Sequence, residues 1–390
     1  MRVEFGIMII HKIQEEMLMQ YSSTIIPNPK RILLGPGPSM ADPRVLQALG
    51  QPLIGHLDPE FLKVLAEVQV LLRLVFETKN ELTLAVPGTG SAAMETAVAS
   101  VVEKGRSVLV CSQGYFGNRI AEMAKIYGGN LSVLNKPMGE IFHSDDIKKQ
   151  LKKNPAQVVA LVQAETSSGV LHPLKEISQI VHAQGGILLV DAVTSLGGVP
   201  VQVDKTQFDI CYSCSQKCLG CPPGISPITF SPEALELVRK RKSPIANWYL
   251  DVNKLASYWG PEHIYHHTAS SSLVYALYEG LQIIAEESLE SRFQRHLQNA
   301  KLLWQGLQEL KLSLLVPEAH RLPTLTTVII PEGMDDLSVR RQLINEFNIE
   351  IGGGLGDLKG KIWRIGLMGY SSRAENILTL LDAFKKIFKL

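Results

Sequence analysis

Short apolar runs alternate with helical stretches along most of this chain, and this alternation limits the possible folds more than any other feature. The runs are rich in β-branched residues, which is typical of strands buried on both faces of a sheet. They are LTLAV (82–86), SVLVC (107–111), VVALVQ (158–163), ILLVD (187–191) and FDICYS (208–213). Alternating strands and helices predict an α/β fold with a mostly parallel sheet between helices.

The chain also predicts a division into domains, because 390 residues exceed the usual size of one hydrophobic core. Asp58 followed by Pro59 is a helix N-cap with proline at the first helical position, opening a helix that runs to about Phe76. A long helical stretch near 270–310 precedes further strands (LTTVIIP, IWRIGL) and helices (335–347, 374–388). We expect an N-terminal arm (1–30), a large domain (31–287) and a small C-terminal α/β domain (288–390).

Charge and hydropathy exclude several classes of protein. Lys plus Arg (39) nearly balance Asp plus Glu (38), which argues against broad electrostatic binding to nucleic acid or anionic lipid. No apolar run reaches the roughly 20 residues of a membrane helix. Five cysteines form no disulfide framework, and an odd number fits a reducing compartment. We therefore expect a soluble cytoplasmic protein with small molecules or protein as partners.

Two polar residues stand where a parallel sheet binds ligands, beyond the carboxyl ends of its strands. Asp191 closes the strand ILLVD, and Lys217 follows FDICYS in the segment SQK. On position alone, Asp191 is also explained as a helix cap or turn residue. Chemistry with pyridoxal 5'-phosphate (PLP) needs a lysine amine for a Schiff base and an anion against the ring nitrogen. The two residues together therefore indicate a PLP site.

A glycine-rich turn offers a place for the cofactor's phosphate. In VPGTGSAAME (86–95) the chain leaves a strand, passes Gly88 and Gly90, and begins a helix near Ser91. Backbone N–H groups at a helix N-terminus attract anions, and glycines let the backbone come close to them. Many strand-to-helix turns contain two glycines for steric reasons only, so the turn alone is weak support.

A series of motifs along the chain resembles one known family. These are LLGPGPS (33–39), GTGSAAMETA (88–97), ETSSGVLHPL (165–174), LLVDAVTSLGG (188–198), SQK…PPG (215–224), YHHT (265–268), RLPTLTTV (321–328), GGLG (353–356) and RIGLMG (364–369). Their order is similar to that in class V aminotransferases of PLP fold type I, most closely the alanine–glyoxylate and serine–pyruvate aminotransferases. The resemblance covers nearly the whole chain after residue 30.

The resemblance assigns roles around the cofactor ring. Lys217 would carry PLP as a Schiff base, Asp191 would pair with the pyridinium nitrogen, and Thr166 would contact the region of the ring hydroxyl. Val193 would pack under the ring. Relatives often stack Trp on the other face where this chain has Phe116, and aromatic stacking survives that change.

The resemblance also assigns residues to the phosphate and the substrate. Gly90, Ser91 and Gln216 would hold the phosphate, assisted by Tyr265 and Thr268 from the other subunit of a homodimer. Relatives often have His and Ser where this chain has Ser91 and Thr166, and both replacements keep a hydroxyl and a backbone amide for hydrogen bonding.

Arg364 would bind the substrate carboxylate, near the backbone of Gly35 to Gly37. It sits inside the apolar run IWRIGLM, where a guanidinium is costly unless acceptors meet it. A buried structural ion pair is the alternative explanation. The neighbouring Trp363 should face the other side of its strand and pack there.

A cysteine cluster gives a competing interpretation of the same region. Cys211, Cys214, Cys218 and Cys221 have the spacing C-x2-C-x3-C-x2-C, which invites a zinc or iron–sulfur site. Lys217 falls inside this cluster, however, and free cysteines commonly act as small buried hydrophobes, so we predict no metal. The adjacent His266 and His267 fit a hydrogen-bonding loop better than a pair of ligands.

The expected reaction moves an amino group from alanine or serine to glyoxylate or pyruvate with ping-pong kinetics. Lys217, once released from the cofactor, would carry the proton between substrate and cofactor. The alternatives are an aminotransferase or lyase of the same fold acting on another donor, such as an aminophosphonate or hydroxykynurenine, and a metal or redox protein built on the cysteines. A cysteine desulfurase is disfavoured because no cysteine follows Cys221.

Overall fold

A computed structural model describes residues 29–389 of the chain. The predicted arm, residues 1–30, lies almost entirely outside the described residues and stays a prediction. Between 29 and 389, no helix is long and apolar enough to cross a membrane.

A seven-stranded sheet forms the centre of the larger part of the structure. In order across the sheet its strands are β2 (Leu82–Pro87), β10 (Ile225–Phe230), β9 (Ile210–Tyr212), β8 (Ile187–Asp191), β5 (Val158–Val162), β3 (Ser107–Ser112) and β4 (Asn130–Asn135). Neighbouring strands from β9 to β4 are parallel, whereas β10 is antiparallel to both β2 and β9. The predicted mostly parallel sheet is confirmed, and its five apolar runs are the strands β2, β3, β5, β8 and β9.

Helices cover this sheet and share its hydrophobic core. They are α1 (Pro43–Leu49), α2 (Pro59–Phe76), α3 (Gly90–Val101), α4 (Tyr115–Ile126), α5 (Ser144–Lys153), α6 (Lys175–Ala183), α7 (Val203–Thr206), α8 (Pro232–Arg239), α9 (Val252–Trp259) and α10 (Ser271–Glu287). The predicted bounds of α2 are confirmed: Asp58 accepts a hydrogen bond from the Glu60 N–H, and Pro59 occupies the first helical position. One large cluster of buried side chains joins these helices to the sheet.

A second, smaller core lies towards the C-terminus. It is built on the antiparallel strands β11 (Leu325–Ile329), β14 (Ile362–Gly366) and β13 (Gly352–Gly353), with helices α11 (Leu289–Glu309), α12 (Asp336–Phe347) and α13 (Ala374–Phe388). The predicted helices at 335–347 and 374–388 are confirmed. Ser288, with φ +64°, separates α10 from α11 at the predicted domain boundary. The division into domains itself stays a prediction.

The first described strand contributes to this second core. β1 (Ile32–Leu33) pairs in parallel with β12 (Ile349–Glu350), and the buried Leu34 packs in the C-terminal cluster. The chain then passes through Gly35 to Gly37 and reaches the segment that bears Lys217, because Ser39 donates to the carbonyls of Gln216 and Lys217. This crossing brings the glycine turn near 35 to the candidate site.

Candidate active site

Asp191 is the anion at the centre of the candidate site. It ends β8 and is only 2% exposed. The Val193 N–H donates to Oδ1 at 2.8 Å, and the Tyr212 hydroxyl donates to Oδ2 at 2.8 Å. Burial raises the pKa of Asp191 to about 7, although both hydrogen bonds favour the ionised form. Among residues 29–389, no cation forms an ion pair with this carboxylate.

Tyr212 is a site residue that the sequence analysis missed. It ends β9, directly opposite Asp191 in the parallel pairing of β8 and β9. Its hydroxyl is the one polar group on a fully buried ring, and Asp191 is its acceptor. A tyrosine inside the apolar run FDICYS is the signal that could have drawn attention to it, since a buried hydroxyl needs a partner.

Lys217 lies in the loop after β9, where the chain holds its amine in a confined space. Its Nζ donates to the carbonyl of Pro36. A Cβ added to Gly37 would meet the end of the Lys217 side chain, and its φ of +104° is a conformation that glycine adopts far more readily than other residues. Burial lowers the pKa of Lys217, and the neighbouring Arg364 acts in the same direction. The prediction that places Gly37 beside the reactive centre thus has direct geometric support.

Arg364 is buried on β14, with 7% of its surface exposed. Its Nε donates to the Gly353 carbonyl at 2.7 Å and its Nη1 to the Thr166 carbonyl at 3.3 Å. Burial lowers the pKa of Arg364 to about 10. No carboxylate of residues 29–389 pairs with it, so the structural ion pair considered for this residue is not found. The guanidinium is therefore held by neutral carbonyls and can still receive an anion.

Trp363 occupies the opposite face of β14, as the sequence analysis expected. Its ring stacks on Phe384 at 5.7 Å and on Phe388 at 6.2 Å between ring centroids. It is fully buried in the C-terminal core. The packing role predicted for Trp363 is confirmed.

The glycine-rich turn (86–95) places Gly90 and Ser91 near the loop that follows Asp191. Gly88 has φ +120°, and Gly90 is the first residue of α3. A Cβ on Gly90 would lie 3.3 Å from Cγ2 of Val193, so glycine keeps the start of the helix close to the loop after Asp191. Thr89, the N-cap, makes no side-chain hydrogen bond to the first turn. The helix N-terminus is therefore not capped by its own side chain.

Gln216, the residue before Lys217, has a buried amide oxygen that accepts no hydrogen bond from residues 29–389. Unpaired buried polar atoms are rare in native structures and call for an explanation. Rotating the amide by half a turn exchanges its oxygen and its NH2 group, so the side chain can present donors to an anion. A phosphate group at this position would provide acceptors.

Phe116 and Thr166 lie on neighbouring segments joined by a buried glutamate. Glu165 ends the short strand β6 (Ala164–Glu165), which pairs with β7 (Val170–Leu171), and it is 1% exposed. The N–H groups of Phe116 and Gly117, at the start of α4, donate to its carboxylate.

Ser167 completes this connection. Its N–H and hydroxyl donate to Glu165 at 3.0 and 2.6 Å, and its oxygen accepts from the Tyr115 N–H at 3.0 Å. Glu165 and Ser167 thereby cap α4 from outside the helix and fix the segment that carries Phe116. The sequence analysis missed this capping role, which depends on contacts about 50 residues apart along the chain.

Two predicted site residues are not brought to this centre by the chain itself. Tyr265 is 58% exposed and Thr268 is also exposed. Tyr265 contacts the ring of His56 at 5.3 Å between centroids. Within residues 29–389, no hydrogen bond or ring contact joins either residue to Lys217, Asp191 or Ser91. Both were expected to act on the neighbouring subunit, and that expectation stays a prediction.

The four cysteines around Lys217 have separate surroundings. Cys214 packs beside Gly90, Cys218 donates to the Thr194 carbonyl at 3.3 Å, and Cys221 donates to the Ala276 carbonyl at 3.4 Å. Burial raises the pKa of all four thiols, counting Cys211 on β9, which disfavours the thiolate form that binds metals. Residues 29–389 contain no group of three or more His, Cys, Asp or Glu side chains arranged for a metal ion. All four cysteines are buried, as the sequence analysis expected.

The two adjacent histidines are buried and contact the aromatic residues Trp248 and Tyr249. His266 Nε2 lies 2.9 Å from the Tyr249 carbonyl, and its ring contacts Trp248 at 4.6 Å between centroids. Burial lowers the pKa of His267 to about 4, so that ring is neutral at physiological pH. Their arrangement agrees with the hydrogen-bonding loop expected from the sequence.

The residues present fit a PLP molecule on several independent observations. Among residues 29–389, a confined amine and a buried carboxylate lack ion-pair partners, a buried amide oxygen lacks a donor, and the helix that begins at Gly90 is not capped by its own N-cap side chain. PLP carries complementary groups, namely an aldehyde, a basic ring nitrogen and a phosphate.

Known proteins similar to this chain share its fold and much of its sequence. The family described as Aminotransferase class-V matches residues 32–375. Alanine–glyoxylate aminotransferase of Mus musculus is 40% identical over 362 residues, covering 92% of this chain and 87% of the relative. (S)-Ureidoglycine–glyoxylate transaminase of Bacillus subtilis (strain 168) is 37% identical over 377 residues, covering 92% of this chain and 91% of the relative.

A solved structure extends this similarity to three dimensions. The crystal structure of alanine–glyoxylate aminotransferase from Nostoc sp. matches with a TM-score of 0.93 and 50% sequence identity, covering 94% of this chain and 97% of that chain. The resemblance drawn from the sequence motifs is confirmed. The chain belongs to the class-V aminotransferase family.

Proposed function

We propose that this aminotransferase uses PLP to transfer the amino group of alanine or serine to glyoxylate or pyruvate, with ping-pong kinetics. The observation that carries the proposal is electrostatic. Lys217, Asp191 and Arg364 are each buried or confined, and none has an ion-pair partner among residues 29–389. Isolated buried charges are costly, so a site that retains three of them is organised for charged ligands.

Each group of PLP has residues suited to hold it. The phosphate would be held by Gly90, Ser91 and Gln216, and the ring would lie between Phe116 and Val193. Thr166 would contact the ring hydroxyl and Asp191 the ring nitrogen, as the resemblance to the family implies. When bound, PLP supplies an aldehyde that takes up the amino group and a ring that stabilises negative charge on the substrate carbon.

Asp191 would place a negative charge beside the ring nitrogen of PLP. The buried carboxylate accepts from Val193 and Tyr212, and both hydrogen bonds favour its ionised form. A positively charged ring nitrogen beside it would lower its pKa below the value of about 7, because an opposite charge stabilises the carboxylate. Tyr212 therefore acts as a positioning residue that fixes both the charge and the orientation of Asp191.

Lys217 moves the proton in the proposed reaction. Burial lowers the pKa of its amine, so the neutral form needed to accept a proton from the substrate carbon is more accessible than in water. The collision that a side chain at Gly37 would cause shows how little room surrounds the amine. The same confinement keeps the amine close to where it must return the proton.

Arg364 would orient both substrates through their shared α-carboxylate. Its planar guanidinium can donate two parallel hydrogen bonds to a carboxylate, and burial strengthens charge-assisted bonds. The carbonyls of Gly353 and Thr166 hold the side chain without neutralising it. Binding of either an amino acid or a keto acid would supply the missing negative charge.

The choice of substrates is supported by the relatives. Their names specify alanine–glyoxylate and (S)-ureidoglycine–glyoxylate transamination, with glyoxylate common to both. Glyoxylate is therefore the favoured acceptor and alanine the favoured donor. A second candidate donor is (S)-ureidoglycine, because the Bacillus subtilis relative covers 92% of the chain at 37% identity.

Pairwise assays test this assignment. The holoenzyme would be given alanine, serine or (S)-ureidoglycine with glyoxylate or pyruvate, and kcat/KM measured for each pair. We expect the highest value for alanine with glyoxylate, and parallel double-reciprocal plots as the sign of ping-pong kinetics. A kcat/KM that is higher with (S)-ureidoglycine than with alanine would identify the second candidate as correct.

We also propose a homodimer in which Tyr265 and Thr268 complete the phosphate site of the neighbouring subunit. Tyr265 lies beside an exposed apolar segment that includes Leu53, Ile54 and Leu57, which are 69%, 39% and 45% exposed. Exposed apolar patches of this kind mark protein contacts. A two-fold contact would repeat each residue on both subunits.

The free thiols of the chain support a cytoplasmic location.

A further inference from the structure

Arg119 lies at the edge of the proposed phosphate site and has no role in the assignments above. It stands one turn into α4, four residues after Tyr115. Its Nη1 donates to the Ser91 hydroxyl at 3.0 Å, and Ser91 is the second residue of α3. The guanidinium therefore reaches the helix N-terminus at which the phosphate is expected.

The charge of Arg119 is not neutralised by the protein around it. No carboxylate of residues 29–389 forms an ion pair with it. Its guanidinium carbon lies 5.1 Å from the ring centroid of Tyr115 and 5.2 Å from that of Phe116. Aromatic rings hold a guanidinium by cation–π attraction but carry no negative charge. The side chain is thus fixed in place and still available to an anion.

The helix that carries Arg119 is itself anchored. Glu165 and Ser167 accept hydrogen bonds from the first N–H groups of α4, as described above. This external cap fixes the position of the first turn of α4 relative to Thr166. The arginine therefore projects from a rigid element, which is the arrangement that a preformed binding site requires.

The remaining phosphate residues lack a formal positive charge. Gly90, Ser91 and Gln216 offer backbone N–H groups, a hydroxyl and an amide, all of them neutral. A phosphate monoester carries about two negative charges near neutral pH. Its binding in a partly buried site is favoured by a cation in contact, and arginine's planar fork suits phosphate oxygens.

We propose that Arg119 is a further cofactor-binding residue, whose guanidinium supplies the positive charge of the phosphate site. The inference rests on the proposed use of PLP. Arg119 also contacts Ser91 and Phe116, two positions at which this chain differs from the family pattern. The competing explanation is that Arg119 only supports Phe116, in which case it would act on the cofactor ring and not on the phosphate.

The test compares PLP with pyridoxal, which has the same ring and no phosphate. The apoprotein and its Arg119→Gln variant would be titrated with each compound, and the dissociation constants obtained from visible absorbance. A hydrogen bond to a charged group is worth enough that Arg119→Gln should weaken PLP binding by about tenfold or more. Pyridoxal binding should not change. Equal weakening of both compounds, or no weakening of PLP binding, would overturn the proposal.

Two further variants control for structure. Arg373→Gln removes an arginine that also lies over a tyrosine ring, 4.0 Å from the Tyr370 centroid, and PLP binding should be unaffected. Arg119→Met keeps the apolar stem against the rings if Arg119→Gln fails to fold, and it should show the same selective loss of PLP binding. A wild-type protein that binds no PLP would instead refute the proposed function, so the two failures are distinguishable.

Discussion

Asp191 should make the cofactor-free protein less stable as the pH rises. Its pKa changes from an ordinary value of 3.8 to about 7 in the fold, because burial penalises the charged form. The two values differ by about 3, and each tenfold change in proton affinity is worth 1.36 kcal/mol, so the ionised carboxylate costs about 4 kcal/mol. A carboxyl with a raised pKa favours the folded state below pH 3.8, and this stability is lost as the pH rises through about 7.

Asp191→Asn removes the titration while keeping the shape of the side chain. The asparagine oxygen can accept from the Val193 N–H, and its NH2 group can donate to the Tyr212 oxygen, although the Tyr212 hydroxyl then loses Asp191 as its acceptor, a cost that does not change with pH. We expect the free energy of unfolding of the cofactor-free variant, relative to wild type, to increase by roughly 3 kcal/mol between pH 5 and pH 8. Urea unfolding followed by circular dichroism at several pH values measures this difference.

A companion variant tests the cause. Tyr212→Phe removes one donor to Asp191, so the pKa of the carboxyl should rise further and the loss of stability should extend to higher pH. A stability difference between Asp191→Asn and wild type that is the same at pH 5 and pH 8 would refute the reasoning. With PLP bound, the same Asp191→Asn substitution should strongly reduce transamination, because the ring nitrogen loses its charge partner.

Three other predictions follow from the site. Borohydride reduction of the holoenzyme should attach the cofactor covalently to Lys217, and peptide mapping that found the adduct on another lysine would overturn the assignment. Arg364→Lys should keep bound PLP but lower kcat/KM for donor and acceptor by a factor equivalent to about 2 to 5 kcal/mol, whereas Arg239→Lys, at an exposed pair with Glu236, should not; an unchanged KM for both substrates would contradict this. If the sites are shared, mixing inactive Lys217→Ala with an inactive Tyr265→Ala, Thr268→Ala double variant should restore up to about a quarter of the wild-type activity through mixed dimers, and no recovery despite subunit exchange would count against sharing.

The sequence predicted those parts of the fold whose signals are local. The cap at Asp58, the apolar strands and the C-terminal helices all have short-range patterns, and the structure agrees with them. The strand FDICYS is shorter than its apolar run, since β9 spans only Ile210–Tyr212. Phe208 and Asp209 precede the strand and Ser213 follows it, although the Ser213 N–H still donates to the carbonyl of Pro227 on β10.

Contacts between distant segments could not be predicted in the same way. β1 is two residues long and pairs with β12 more than 300 residues later, and nothing in Ile32–Leu33 alone specifies that partner. The hydrogen bond from Tyr212 to Asp191 requires the register of two parallel strands, and the cap formed by Glu165 requires the position of α4. The family pattern proposes which residues would touch ligands, but it does not identify Tyr212 and Glu165, which hold Asp191 and the start of α4 in place.

The three unpaired charges of the site imply that cofactor and substrate binding are separable. In the proposed function Asp191 would be complemented by a cationic ring nitrogen and Arg364 by a substrate carboxylate, and these two groups come from the cofactor and the substrate. Asp191 is held by Tyr212 and Val193, whereas Arg364 is held by backbone carbonyl groups. Because these partners differ, a substitution at one of the two residues need not displace the other. Lys217 lies under the influence of both, because Arg364 lowers its pKa while Asp191 raises it. Binding of a substrate carboxylate should offset the charge of Arg364 and so raise the pKa of the Lys217 amine, which favours uptake of the proton that it must carry.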